Sequence, residues 1–290
     1  MKILLPLLLF LSFTDRGYAQ AIENKFFALH SVISGDSTFD TAAKQVIYLH
    51  SLGYEGLEIS GIARFETMKK AMISHGLTPA YFYVKVSLAA PHFEPGLEEC
   101  IKQLKGTKTL IAPYIPYTER KEHTPKNDSV VISLVQHLAD ISSESGLEIA
   151  IYPHYGFYIA RVEEALNLVK QINRSDVGLS FNLCHWLATT TSQERPYLKG
   201  LLREIEPYLK MVIINGANDV VSSKSVIWDD YILPLGEGDY DTFGLVNFLV
   251  TDLDYKGQIG VQCYNIKMNK AELARKSMEA WIGYKRRMSR

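Results

Sequence analysis

The sequence predicts an α/β fold with a single domain, a closed (β/α)8 or TIM barrel. Eight short apolar, β-branched or aromatic runs alternate strictly with eight amphipathic helical stretches. Near-continuous apolar strands that alternate with helices are typical of a parallel sheet covered on both faces, and eight such units close a barrel. A doubly wound open sheet is the alternative. It usually has fewer strands and a Gly-rich first turn, and no GxGxxG follows the first strand here.

Each predicted strand is a run of five to nine residues of this kind. In order they are KFFALHSVI, GLEIS, TPAYFYVKV, TLIAPYI, LEIAIYPH, VGLSFNL, MVIIN and QIGVQCYNI. The helical stretches between them begin TAAKQ, FETMK, GLEEC, SVVIS, RVEEA, ERPYL, TFGLV and KAELA. Several helices stop at a glycine, as at Gly53 and Gly76, where a left-handed cap is expected. The longest connection, from Ile115 to Asn127, is predicted to be a flap over one end.

Composition excludes several kinds of protein. The chain has 290 residues, of which 47% are hydrophobic and 22% charged, which is ordinary for a globular domain. A formal net charge of -1 offers no electrostatic attraction for nucleic acid or an anionic membrane surface. The three cysteines, Cys100, Cys184 and Cys263, are too few and too scattered for a disulfide framework or a structural zinc site. We therefore expect no nucleic-acid partner and no structural metal.

The first 19 residues are predicted to be a signal peptide. Lys2 precedes the apolar run ILLPLLLFLSF, which is too short to span a bilayer. Gly17 and Ala19 place small residues where a signal peptidase reads the chain. We expect cleavage near Ala19, export to the periplasm or the medium, and a barrel domain over residues 20–290 with no membrane span.

Polar and aromatic side chains recur where the predicted strands end. In a barrel of this type the βα loops at those ends carry the chemistry. In strand order the candidates are His30, Glu58 with Ser60, Tyr83 with Lys85, Tyr114, Tyr152 with His154, Asn182 with His185, Asn215, and Gln262. Tyr152 and His154 lie two residues apart, so we expect them to face the same way.

Three stretches resemble a known family. GLEIAIYPH resembles a fifth strand that ends in glutamate followed by Asn or Pro-His. VGLSFNLCHW resembles a sixth strand with an aspartate three residues before a histidine. LPLGEGDYDTFGLVNFLVTDLDYKGQIGVQ resembles a closing unit whose last strand ends in glutamate. These are the patterns of the xylose-isomerase-like barrels of sugar isomerases and epimerases. The resemblance covers almost the whole chain after residue 19.

The departures from this pattern concern the metal site. The resemblance implies a divalent ion held by two glutamates, an aspartate, and a histidine or glutamine. The corresponding positions hold Tyr152, Asn182 and Gln262, and the seventh-strand ligand falls near Ile214 or Asn215. Neutral amides and a phenol supply no charge to offset a dication. We therefore predict no bound metal and no other cofactor.

Proton transfer next to a sugar carbonyl remains possible without a metal. It needs a base and a donor for the developing enolate, and the pKa of histidine suits a base near neutral pH. The predicted catalytic residues are His154, His185, Tyr152 and Glu58. The predicted substrate-binding residues are Asn182, Asn215, Gln262, Lys85, His30 and Trp186. For Lys85 the alternative is a buried ion pair with Glu58.

Three functions remain open from the sequence. The first is an exported enzyme that isomerises, epimerises or eliminates beside the carbonyl of a neutral or oxidised sugar. The second is a non-catalytic carbohydrate-binding barrel. The third is a metal-dependent epimerase with a rebuilt ligand set such as His154, His185 and Glu58. In each case the expected partner is a small-molecule sugar, and association into oligomers is possible.

Overall fold

A closed barrel of eight parallel strands forms the centre of the molecule, in a computed structural model that describes residues 20–116 and 123–289. Each strand pairs with its neighbours in the chain, and the first closes onto the last. The strands are β1 (Phe26–Ala28), β2 (Gly56–Ser60), β3 (Thr78–Lys85), β4 (Leu110–Tyr114), β5 (Glu148–Ile151), β6 (Val177–Asn182), β7 (Leu209–Ile214) and β8 (Gln258–Val261). The predicted (β/α)8 barrel is confirmed.

Helices surround the barrel in the order expected from the sequence, with two additions. They are α1 (Ala42–Leu52), α2 (Phe65–His75), α3 (Leu97–Lys102), α4 (Pro125–Ser143), α5 (Val162–Ile172), α6 (Leu183–Thr189), α7 (Leu198–Ile205), α8 (Trp228–Tyr231), α9 (Thr242–Asn247) and α10 (Lys270–Met288). Gly53 and Gly76 end α1 and α2 with φ of 98° and 81°, which confirms the predicted left-handed caps.

The two additions, α6 and α8, lie in βα connections at the carboxyl ends of the strands. The prediction of eight helices was therefore wrong by two in the described part of the chain. Helix α6 begins directly after β6 because the side chain of Asn182 accepts a hydrogen bond from the Cys184 N–H, an N-terminal cap. That cap turns the chain from strand to helix and places His185 in the first turn.

The lower part of the barrel interior is packed with side chains. Phe27, Tyr81, Met211 and Ile213 belong to an interior cluster separate from the larger core between sheet and helices. Gly260 makes room for it, since a Cβ there would lie 2.2 Å from the ring of Phe27. The barrel interior is therefore filled with side chains at this level, and the cavity lined by the strand-end residues lies toward the carboxyl ends of the strands.

Two of the sequence predictions concern residues that the structure leaves undescribed. The predicted signal peptide, residues 1–19, lies outside the described residues, and so does part of the predicted flap, residues 117–122. In the part of the chain that is described, no helix combines the length and apolar character needed to cross a bilayer.

Candidate functional site

A cavity of about 420 Å³ opens at the carboxyl ends of the strands. The structure brings together six of the ten residues predicted for the site: His30, Glu58, Tyr152, His154, His185 and Gln262. They come from the ends of β1, β2, β5, β6 and β8. The remaining lining residues are Leu29, Ser31, Ser34, Ser60, Tyr81, Tyr83, Trp228, Ile232 and Tyr264. The cavity is of a size that suits a small polar ligand.

Among the described residues, Glu58 is the one carboxylate in the wall of this cavity. It is buried in β2, and its Oε2 accepts a hydrogen bond from the His30 N–H at 2.8 Å. Burial raises the pKa of Glu58, and the interactions with the His30 N–H, Tyr81 and Ser60 oppose that rise without cancelling it. A carboxyl group with a raised pKa is suited to give or take a proton near neutral pH.

The protonation of His154 follows from one hydrogen bond. Its Nδ1 lies 2.8 Å from the backbone carbonyl oxygen of Tyr155, which can only accept. Nδ1 therefore carries the hydrogen, and Nε2 of the neutral ring has a free lone pair. Burial lowers the pKa of His154 to about 4. The His154 ring also stacks on Phe157, with 3.9 Å between ring centroids, and this contact holds the imidazole in place. His154 is a neutral base at physiological pH.

His185 lies beside His154, and the ring centroids are 3.9 Å apart. Burial, and then the proximity of His154, hold the pKa of His185 well below its usual value. Burial also lowers the pKa of His30, whose Nε2 is 2.9 Å from Gln45 Oε1. The three histidines of the cavity are therefore uncharged at neutral pH, and the described lining residues present no cation to an anionic ligand.

Three tyrosines of the strands also line the cavity: Tyr81, Tyr83 and Tyr152. Burial holds each pKa well above the ordinary value of 10, so all three remain protonated phenols. Tyr152 contacts Tyr83 edge to face, with 4.9 Å between ring centroids. The site thus offers hydroxyl groups and aromatic faces, which are the groups that bind neutral sugars.

The structure places the other four predicted substrate-binding residues away from the cavity lining. Asn182 is buried behind Tyr152, and its Nδ2 donates to Tyr152 Oη at 2.7 Å. Asn215 is fully buried, and its Nδ2 donates a hydrogen bond to the carbonyl oxygen of Tyr231. This bond links α8 to the barrel. For these two residues the predicted direct contact with substrate is corrected to a supporting position.

Lys85 and Trp186 require a similar correction. Lys85 lies on the same face of β3 as Tyr81 and Tyr83. It is the last residue of the strand, and it is exposed to solvent. No ion pair to Glu58 forms among the described residues, so the alternative prediction for Lys85 was also wrong. Trp186 follows His185 on α6, and helical geometry turns it away to pack near Phe181, 6.3 Å between ring centroids.

Sequence reasoning missed Tyr81, Trp228 and Tyr264. Tyr81 carried a usable signal, because it lies two residues before Tyr83 on the same strand and therefore on the same face. Trp228 belongs to α8, a four-residue helix within a long connection, and contacts His185 edge to face at 5.6 Å. Its position depends on how that connection folds over the barrel, which no local pattern reveals.

The residues of this site do not fit the divalent ion that the family pattern implies. At the positions of metal ligands stand Tyr152, Asn182 and Gln262, and the Gln262 Oε1 already accepts a hydrogen bond from Ser31. Within residues 20–116 and 123–289, no group of three or more His, Cys, Asp or Glu side chains is placed to hold a metal ion. A dication at these positions would meet two neutral imidazoles, amides and a phenol, and the carboxylate of Glu58 is not grouped with His154 and His185 as a third ligand.

Comparison with known proteins decides the family. The model of the xylose isomerase-like TIM barrel family matches residues 46–284, most of the chain. The chain belongs to this family. No curated protein sequence matches the chain.

Solved structures similar to this xylose isomerase-like barrel include several sugar epimerases. The 3-keto-D-glucoside 4-epimerase from E. coli, in its apo form, is 15% identical with a TM-score of 0.67, over 90% of this chain and 99% of that one. D-allulose 3-epimerase from Methylomonas sp. in complex with D-allulose is 16% identical with a TM-score of 0.67, over 91% and 98%. A xylose isomerase-like barrel protein from Mycobacterium smegmatis in complex with magnesium is 15% identical with a TM-score of 0.63, over 92% and 98%. At these identities the likeness establishes the fold.

Proposed function

We propose that this protein is an exported isomerase or epimerase that transfers a proton next to the carbonyl of a neutral or oxidised sugar, without a bound metal. The observation that carries the proposal is the pairing of two proton-transfer groups in one uncharged cavity. His154 presents the free lone pair of Nε2, and Glu58 has a raised pKa. Neither group needs a metal ion to be in its working protonation state near neutral pH.

The positions of His154 and Glu58 allow one group to remove a proton from the sugar and the other to return a proton at a different position. Glu58 lies on β2 and His154 follows β5, three strands further round the barrel. His154 Nε2 takes the proton from the carbon beside the carbonyl, and the bonding electrons pass into an enolate. Glu58 supplies a proton to the opposite face of that carbon, which epimerises it. In an isomerisation the hydroxyl proton of the first carbon moves to the enolate oxygen, and Glu58 supplies its proton to the former carbonyl carbon.

The substrate class follows from the charge and the lining of the cavity. Its histidines are neutral and its phenols protonated, so there is no built site for a phosphate group among the described residues. Two of the similar structures are epimerases whose names give a keto sugar or a keto-glycoside as substrate. We therefore propose an unphosphorylated ketose or a keto-glycoside as the substrate of this barrel.

Solvent exchange tests the proposal directly. The metal-free protein is incubated in D₂O with D-allulose, D-fructose or a 3-keto-D-glucoside, and deuterium uptake beside the carbonyl is followed by NMR. We expect exchange with at least one of these sugars, and a rate reduced roughly 100-fold or more in His154→Gln and Glu58→Gln. Lys85→Ala, at the exposed end of β3, is the control and should match the wild type.

Two outcomes would contradict the proposal. Exchange that appears only when Mn²⁺ or Mg²⁺ is added would favour the metal-dependent epimerase with a rebuilt ligand set. Sugar binding without exchange, at normal folding, would favour the non-catalytic carbohydrate-binding barrel. Tyr155 and Tyr264 have exposed aromatic side chains near the mouth of the cavity. These side chains are the observation that favours carbohydrate binding without catalysis.

Export is the part of the proposal that rests on sequence alone. Lys2, the apolar run after it, and the small residues Gly17 and Ala19 support it. Expression of the full chain in a secreting host tests it through the mass of the mature protein. Cleavage after Ala19 leaves Gln20 as the first residue, and an intact leader on a cytoplasmic product would contradict export.

A further inference from the structure

Asn182 determines the role of the hydroxyl group of Tyr152. The Oδ1 of Asn182 accepts a hydrogen bond from the backbone N–H of Cys184 at 3.2 Å. A backbone N–H can only donate, so this contact assigns the amide oxygen and leaves the Nδ2 group on the other side. Nδ2 lies 2.7 Å from Tyr152 Oη. In this bond the nitrogen donates and the phenol oxygen accepts.

The hydrogen of the Tyr152 hydroxyl must therefore point elsewhere. Burial holds the pKa of Tyr152 well above 10, so the hydroxyl keeps its proton. The ring is 3% exposed and lines the cavity. Among the described residues, the hydroxyl has Asn182 as its hydrogen-bond partner and no acceptor. Tyr152 is thus a buried hydrogen-bond donor beside an open cavity. Its hydroxyl oxygen already accepts a hydrogen bond from the Asn182 amide.

His185 is the second polar group in this part of the cavity that lacks a partner. It is 3% exposed, and within the described ranges neither of its ring nitrogens has a hydrogen-bond partner. Its ring lies edge to face with that of Tyr152, with 6.0 Å between the centroids. Buried polar groups without partners cost free energy unless a ligand or water satisfies them. Two such groups lining one cavity indicate a place for a ligand oxygen.

We propose that Tyr152 and His185 form a subsite for the carbonyl oxygen of the sugar, and that Asn182 is a positioning residue that makes Tyr152 an obligatory donor. The O–H of Tyr152 and the N–H of the neutral His185 ring then meet the oxygen on which charge develops when the neighbouring carbon loses a proton. Fixed donors at a buried position stabilise such charge more than water does. The ligand class is an α-hydroxy ketone and the ene-diolate formed from it. This inference rests on the proposed function, since it concerns the same cavity.

Binding of a stable ene-diolate tests the subsite without any need for turnover. The probe is ascorbate, whose monoanion is an ene-diolate at neutral pH, and binding is measured by calorimetry. Tyr152→Phe removes the donor and keeps the ring. Asn182→Asp keeps an acceptor for the Cys184 N–H but accepts from Tyr152, which turns that hydroxyl away from the cavity. His185→Phe removes the second donor.

The expected result is that all three variants bind ascorbate about tenfold or more weakly than the wild type. Two matched substitutions serve as controls. Tyr114→Phe changes a tyrosine that lies outside the cavity lining, and Asn167→Asp changes an exposed asparagine on α5; both should bind as the wild type does. Circular dichroism confirms folding, and Tyr152→Phe is the decisive variant if Asn182→Asp does not fold.

The inference is overturned if the wild type does not bind ascorbate, or if Tyr152→Phe binds it unchanged. Solvent exchange separates this failure from failure of the proposed function. Exchange with unchanged ascorbate binding in Tyr152→Phe would refute the subsite alone. Ascorbate binding that depends on Tyr152, with no exchange on any keto sugar, would refute proton transfer and leave the carbonyl-oxygen subsite supported.

Discussion

Lowering the pH from 7 to 5 should destabilise the barrel through His154. Burial lowers the pKa of this imidazole from 6.5 to about 4 in the folded chain. The unfolded chain therefore binds a proton that the folded chain excludes. The contribution to stability is fully present above pH 6.5 and is lost as the pH falls from there toward 4.

The magnitude follows from the size of the shift. Each pKa unit corresponds to about 1.4 kcal/mol, so the full shift corresponds to roughly 3 kcal/mol. Between pH 7 and pH 5 the linkage relation assigns roughly 2 kcal/mol of that loss. The ring is partly exposed at the mouth of the cavity, so solvent screening reduces the expected effect to about 1 kcal/mol. For a chain of this size that is a change in Tm of roughly 2–4 °C.

The assay compares urea unfolding at pH 7 and pH 5 for the wild type and for His154→Gln, which cannot titrate. The free energy of unfolding of the wild type should fall by about 1 kcal/mol more than that of the variant. His75→Gln, on the surface of α2, is the matched control and should follow the wild type. His185 is present in all three proteins. Equal pH dependence in the wild type and His154→Gln would refute a neutral, buried His154.

Further predictions concern the rate, the metal, the rim and a helix cap. The exchange rate should fall below about pH 4, as His154 is protonated. It should also fall as the pH rises through the raised pKa of Glu58, where the proton donor is lost, and a flat pH profile contradicts both roles. Adding Mn²⁺ should leave the Tm of the metal-free protein unchanged, because a ligand of the folded state must raise it. Tyr264→Ala, which removes a 56% exposed ring from the mouth of the cavity, should raise the KM for a sugar and leave the Tm within about 1 °C. Asp241→Ala removes the side-chain cap of α9, seen in the bond from the Gly244 N–H, and should cost about 1 kcal/mol in urea unfolding.

Much of the fold was predictable because it depends on local patterns. Apolar runs and amphipathic stretches alternate with a regular spacing, and a closed parallel barrel is the arrangement that buries eight such units. The same reasoning brought six of the ten predicted residues to the lining of one cavity, since the strand ends of a barrel meet at one mouth. Tyr152 and His154 line the cavity together, as their spacing of two predicts.

The two added helices show where local patterns fail. The run VGLSFNL is mostly apolar, so it looks like a strand that continues to Leu183. The Asn182 side chain instead caps a helix at that point, and the competition between strand and cap depends on the space behind β6. Helix α8, which carries Trp228, is held to the barrel by contacts such as the bond from Asn215 to the Tyr231 carbonyl oxygen, between residues 16 positions apart.

What the sequence by itself determined is the barrel, the mouth as the place of the site, and the exchange of charged metal ligands for neutral groups. These depend on periodicity and residue type, which act along the chain. Only the tertiary structure decided which groups are donors and which are bases. The Nδ1 of His154 meets the Tyr155 carbonyl oxygen, and the Asn182 amide meets Tyr152. A protonation state depends on burial and on a particular partner at hydrogen-bond distance, and both are properties of the folded chain.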